Sequence, residues 1–243
     1  MMKPYQNIKI VECHEPLVPI PEGEFILENP PAYVKLGADY HGKSPYYLRE
    51  EVLKRLLRSK QKLVQLKPSW QIKIFDAYRP LSVQHFMVDY TFNSICVDRG
   101  LEPSCLTLWQ KASIYDEVYT IWAMPSDNPL TPPPHSTGSA IDLTLCENGK
   151  EIDMGGEIDE LSPRSNPDYY KNSTDEKEQI FHHNREILLE IMTYSGFRRH
   201  QGEWWHFSYG DQMWAWLENL ESSPSMPKTH LARYGRIINE IWS

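Results

Sequence analysis

The sequence has only four cysteines, Cys13, Cys96, Cys105 and Cys146, in 243 residues, and no pair stands in C-x-x-C spacing. That excludes a cysteine-built zinc ribbon and a dense disulfide framework. Free, mostly buried thiols in a reducing compartment are expected, with a Cys96–Cys105 bridge as the alternative. No run of about 18 apolar residues exists, so neither a membrane-spanning helix nor a membrane partner is expected. The opening MMKPYQNIKIVECHEP lacks the apolar stretch of a signal peptide, which points to the cytoplasm. Basic clusters are missing as well. The 25 Lys and Arg stand against 33 Asp and Glu, a formal net charge of −8. Such a chain is a poor fit to a phosphate backbone, so no nucleic-acid partner is expected. Internal repeats and low-complexity linkers are also absent. What is abundant is aromatic: eight Trp and fourteen Tyr, some of which should line a pocket.

Hydrophobic residues at 40% suffice for a substantial core. Asn7–Cys13 alternates like a strand, and the Pro-, Gly- and Tyr-rich stretch after it reads as an irregular arm spanning 1–46. The spacing predicts a helix over 47–66, on which Leu48, Val52, Leu56, Leu57 and Leu63 share a face. In WQIKIFDAYRP, Ile72, Ile74 and Asp76 share one face of a strand that Pro80 ends. A second helix is predicted over 81–93, mixed helix and loop over 94–116, and a strand over 141–146. The clearest helix covers 174–195, with Ile180, Ile187, Leu188, Ile191 and Met192 at helical steps and Gly196 as its C-cap. FRRHQGEWWHFSY reads as two short antiparallel strands. The tail, 211–243, reads as two amphipathic helices in DQMWAWLENL and RYGRIINEIWS, which either pack on the domain or mediate a homo-dimer. Interleaved helices and strands indicate a single α+β domain covering 1–243.

Three stretches carry side chains suited to chemistry. In HSTGSAIDLTL, Ile141, Leu143 and Leu145 face a core, so Asp142 and Thr144 point the other way. A carboxylate among apolar neighbours needs an arginine, a hydrogen-bond network or a metal. Gly138 and Ser139 let His135 fold back beside it. The spacing alone favours a surface histidine and a salt-bridged aspartate. In GEWWHF, Glu203 and His206 stand three apart, which in a regular strand puts them on opposite faces. A bend would bring them to one site; otherwise Trp204, Trp205 and Phe207 are core and the polar pair is solvated. Together the two stretches offer two histidines and a carboxylate, a set that suits catalytic zinc. Glu203 would be the base for its water. Arg79 in FDAYRP sits at a strand end, where it either stabilises an oxyanion or pairs with Asp76 or Asp89.

These stretches resemble the motifs of the zinc-dependent D-alanyl-D-alanine dipeptidases of the VanX type, within the DD-peptidases that share the Hedgehog domain fold. HSTGSAIDLTL, GEWWHF and YRP match in order and spacing, SGF and MGGEID also match, and the likeness runs from about Tyr33 to Phe207. It implies a small, mainly antiparallel central sheet flanked by helices. It implies one Zn2+ per chain on His135, Asp142 and His206, with Glu203 as general base and then acid. Arg79 would stabilise the transition state, and Asp159, ending MGGEID, would pair with the substrate amine. The implied reaction is hydrolysis of D-alanyl-D-alanine or a similar D-containing dipeptide. The alternatives are a DD-carboxypeptidase or endopeptidase on peptidoglycan stem peptides and a non-catalytic zinc-stabilised binding module. The chain departs from the family at Pro133, which replaces a serine thought to help hold the substrate carboxylate, and which has neither hydroxyl nor N–H. It also departs at Ile158, in place of an aromatic, and in ADYHG, whose His41 is expected near the pocket. His85, His182 and His183 fall on helices and are expected to be solvated.

Overall fold

The computed structural model describes residues 3–222 and 229–237. In chain order the elements are β1 (Leu17–Pro19), β2 (Ile26–Leu27), α1 (Ala32–Lys35), β3 (Tyr47–Arg49), α2 (Glu50–Leu66), β4 (Trp70–Asp76) and α3 (Leu81–Asp98). They continue with α4 (Leu108–Val118), β5 (Ala140–Glu147), β6 (Lys150–Glu151), α5 (Glu176–Tyr194), β7 (Arg198–Arg199), β8 (His206–Ser208) and α6 (Gln212–Glu221). The fold is α+β. Its main sheet runs β2-β4-β5-β8-β7, with β6 attached to β5. β2 joins β4 in parallel and every other pairing in this sheet is antiparallel.

One face of the sheet is apolar. Ile72 and Ile74 of β4, Ile141, Leu143 and Leu145 of β5 and Phe207 of β8 are all at most 1% exposed. They form one cluster with Val52, Leu56 and Leu63 of α2 and Leu188, Ile191 and Met192 of α5. Each such side chain contributes roughly 1.5–3 kcal/mol on burial. α5 begins at Asp175, whose carboxylate accepts from the backbone N–H of Lys177 and Glu178. Ser195 is its cap residue, and Gly196 stands one position beyond with φ 87°. There the Phe197 N–H returns to Met192 O at 3.1 Å, a closure that favours glycine. Ile180, expected on the apolar face, is 58% exposed.

Three other expectations change. α3 runs to Asp98, because Ile95 and Cys96 belong to a second cluster with Val83, Met87, Phe92, Ile114 and Trp122. Asn7–Cys13 makes only an isolated bridge, Ile10 to Ala232, rather than a strand. Of the second tail helix, 233–237 is not helical, because the N–H of Arg233 bonds Gly210 O and that of Ile237 bonds Ser136 O; 238–243 lies outside the described residues. α6 does form, and its Met213 and Leu217 pack on Tyr5. All four cysteines are free; Cys96 and Cys146 are buried, whereas Cys13 and Cys105 are exposed. Among the described residues no helix is long and apolar enough to cross a membrane.

Candidate active site

The site is built on one row of the sheet. Asp76 of β4, Asp142 of β5 and His206 of β8 are successive partners across the three strands. A bulge makes this possible. The β4–β5 register shifts by one residue between Ile74 and Asp76, so Asp76 lies opposite Asp142 instead of Ile141. Asp76 therefore leaves the face of Ile72 and Ile74, contrary to the regular alternation expected from sequence. The bulge residue Phe75 packs instead against the second cluster.

His135 comes from the tight turn Pro134–Thr137, which ends at Gly138 with φ 72°. A Cβ at Gly138 would lie 2.4 Å from Leu17 Cδ2, so both the backbone angle and the packing demand glycine. His135 Nδ1 is 2.7 Å from the Ala77 carbonyl. That contact assigns the proton to Nδ1 and leaves the lone pair on Nε2. Nε2 lies 3.2 Å from Asp142 Oδ2 and 3.1 Å from His206 Nδ1. His206 Nδ1 lies 3.0 Å from Asp142 Oδ1.

Glu203 precedes β8, and bends at Trp204 and Trp205 turn it back toward the row. Its carboxylate is 3.8 Å from His206 Nδ1 and 3.3 Å from His200 Nδ1. Trp204 and Trp205 remain buried in the core. Arg79 follows β4 and is 4% exposed. It donates to Asp76 Oδ2 at 2.8 Å, Asp142 Oδ2 at 3.1 Å, Gln84 Oε1 at 3.1 Å and the Tyr33 hydroxyl at 2.7 Å. The Tyr33 hydroxyl in turn donates to Asp159 Oδ2 at 3.0 Å. Asp159 holds φ 65°, uncommon for a residue with a Cβ. The structure thus brings His135, Asp142, His206, Glu203, Arg79 and Asp159 to the lining of one cleft. His41 is not there; its exposed side chain pairs with Asp39 at 3.1 Å.

The family model described as D-ala-D-ala dipeptidase (Peptidase_M15) matches residues 28–227. A D-alanyl-D-alanine dipeptidase of Synechocystis is 52% identical over 97% of this chain and 97% of that protein. The chain belongs to the D-ala-D-ala dipeptidase family. Two further relatives carry the same name. That of Escherichia coli is 35% identical over 56% of this chain and 54% of its own. That of Enterococcus faecium is 39% identical over 32% and 37%.

The donor set in this family member fits a metal. One free lone pair on His135 Nε2, one face of the Asp142 carboxylate and His206 Nδ1 converge in a buried space, all within 4.8 Å of one another. Their mutual separations of 3.0–3.2 Å are close to the roughly 3.3 Å edges of a tetrahedral zinc site. Burial works against the Asp142 charge, but His135 and His206 prevail and hold it below the usual carboxylate range. Burial, reinforced by Asp142 and Asp159, pushes Glu203 well above its ordinary value. Burial, then the charge of Asp142, lifts Asp159 to about 7. Burial disfavours charge on Arg79, but Tyr33, Asp76, Asp142 and Asp159 keep it firmly protonated. Burial and the neighbouring His206 lower His200 to about 3, so it is neutral beside Glu203.

Sequence reasoning missed Tyr33, His200 and the placement of Asp76 in this row. Tyr33 sat in the arm with no periodic signal. His200 lay three residues before Glu203, a spacing that became meaningful only once the bend was known.

Proposed function

We propose that this chain is a zinc dipeptidase that hydrolyses D-alanyl-D-alanine, acting as a single domain with one ion held by His135, Asp142 and His206. The observation that carries the reading is the buried convergence of those three donors beside Glu203 and Arg79. The substrate follows from the name of the Synechocystis relative, with which the chain shares 52% of its residues. A zinc ion there would supply a Lewis acid that polarises the scissile carbonyl and acidifies water.

The remaining steps fall to the side chains. Glu203 accepts a proton from the attacking water and returns it to the leaving amine. Burial raises its pKa above the ordinary carboxylate value, which makes the carboxylate a stronger base for the water proton. Arg79, pinned by Asp76, Gln84 and Tyr33, stabilises the charge that develops on the carbonyl oxygen. Asp159 takes the free ammonium of the substrate. An acylated or extended amine loses that pairing, which restricts the enzyme to short substrates. Trp122 and Trp205 wall the cleft and limit water.

The test is a panel of dipeptides of both stereochemistries and a stem pentapeptide, with and without chelator. Metal-dependent hydrolysis of D-Ala-D-Ala in preference to the pentapeptide is expected. Preference for the pentapeptide would replace this reading with a carboxypeptidase, and no metal-dependent hydrolysis of any D-containing dipeptide would end the substrate assignment.

A further inference from the structure

We infer that Lys3 is the residue that binds the substrate's C-terminal carboxylate, and so makes the cleft selective for peptides with a free acid end. The inference rests on the dipeptidase reading and extends it to a residue outside the family motifs.

The argument starts from charge. A dipeptide carries an ammonium at one end and a carboxylate at the other. The cleft lining supplies Asp142, Asp159 and Glu203, all of which repel a carboxylate. Two permanently cationic side chains line it, Arg79 and Lys3. Arg79 is committed elsewhere: Asp76, Asp142, Gln84 and Tyr33 take four of its donors, and the dipeptidase reading assigns it to the scissile carbonyl oxygen. Lys3 forms no ion pair among the described residues. Its Nζ makes one neutral hydrogen bond, to the Tyr119 carbonyl at 3.2 Å. Pro133, buried near the histidine turn, contributes no donor.

Position is the second strand of the argument. Lys3 precedes the short turn Pro4–Asn7, and that turn is fastened to α6. Tyr5, 8% exposed, packs on Met213 and Leu217. Gln212 Nε2 donates to the carbonyls of Gln6 at 3.2 Å and Ile8 at 2.7 Å. The hydrogen bond to Tyr119 then ties Lys3 to the end of α4 across the rim. A carboxylate arriving there exchanges a neutral acceptor for an anionic one, the stronger partner for an ammonium.

The experiment is steady-state kinetics of the full-length, zinc-loaded protein on D-Ala-D-Ala and D-Ala-D-alaninamide, which lacks only the carboxylate charge. The preference of wild type for the acid over the amide is compared with that of Lys3→Met and Lys3→Arg. Lys3→Met is expected to lose about tenfold or more of that preference, through KM for the acid, as befits one charge-assisted hydrogen bond. Lys3→Arg is expected to keep most of it. An unchanged ratio in Lys3→Met, or equal losses on both substrates, overturns the assignment. A wild type inert toward both substrates overturns the dipeptidase reading itself, and Lys3's role with it.

Discussion

Arg185 offers the sharpest test of how Asp159 is presented. It lies on α5, fully buried, and no carboxylate bonds to it among the described residues. Its guanidinium donates instead to three carbonyls: Met154 at 2.7 Å, Asn166 at 2.9 Å and Arg164 at 2.9 Å. It also lies over the rings of Tyr170 and Trp204, at 4.9 and 5.3 Å from their centroids. Those carbonyls bracket the loop that carries Asp159, and Trp204 adjoins Glu203. Arg185 therefore holds the loop that carries Asp159, the proposed amine site. Arg185→Met removes the donor from three carbonyls, that of Met154 buried, and strips the packing of the guanidinium on Tyr170 and Trp204; it should cost about 3–5 kcal/mol. Arg185→Lys keeps the charge but not the fork, at about 2–3 kcal/mol. For a chain of this length that is a Tm drop of roughly 4–12 °C. The assay pairs thermal melts and zinc content with kinetics on D-Ala-D-Ala. Folded Arg185→Lys should hold zinc and keep kcat within about threefold while KM rises about tenfold. An unchanged KM, or a loss confined to kcat, would refute the claim that this guanidinium sets the Asp159 loop.

Two other outcomes follow from the same geometry. Asp159 has a raised pKa of about 7, so the folded protein binds its proton more tightly than the unfolded chain and stability falls as pH climbs from about 4 to about 7. Asp159→Asn should thus melt roughly 2–6 °C above wild type at pH 8, show no gain at pH 4, and bind the dipeptide more weakly at pH 8, where wild-type Asp159 is charged. Equal melting shifts at the two pH values would contradict this. Gly138→Ala must adopt φ 72° and place a Cβ 2.4 Å from Leu17, which should cost about 2–4 kcal/mol. It should also weaken zinc binding in a metal titration, because His135 moves with the turn.

The parts of the fold legible in the sequence are those written locally. The apolar period of α2 and α5, the alternation of β5 and the Gly196 stop all follow from neighbours in the chain. The metal-ligand candidates His135, Asp142 and His206, and the candidate base Glu203, were legible because they fall in two short motifs. The bulge at Phe75 was not, because the shift is set by pairing with a strand more than sixty residues away. Tyr33, Lys3 and Tyr5 were hidden for a related reason. They lie in an arm without periodicity, and they reach the cleft only because α6, α4 and Arg79 hold them there. Arg185 read as one more polar position on an amphipathic helix; its role depends on a loop that has no regular structure of its own. Arg79 met the expectation of a pairing with Asp76, and it also donates to Asp142 in the row of the sheet that carries His206.

The central claim is metal-dependent hydrolysis with Glu203 as the proton carrier. It is tested most directly by measuring zinc content and D-Ala-D-Ala turnover together in wild type, Glu203→Ala and His206→Ala. Wild type should hold one zinc per chain and lose activity to chelator. Glu203→Ala should keep the zinc and lose turnover by about 10²-fold or more, whereas His206→Ala should lose the metal. Near-normal turnover by Glu203→Ala, or full activity in metal-stripped wild type, would contradict the account.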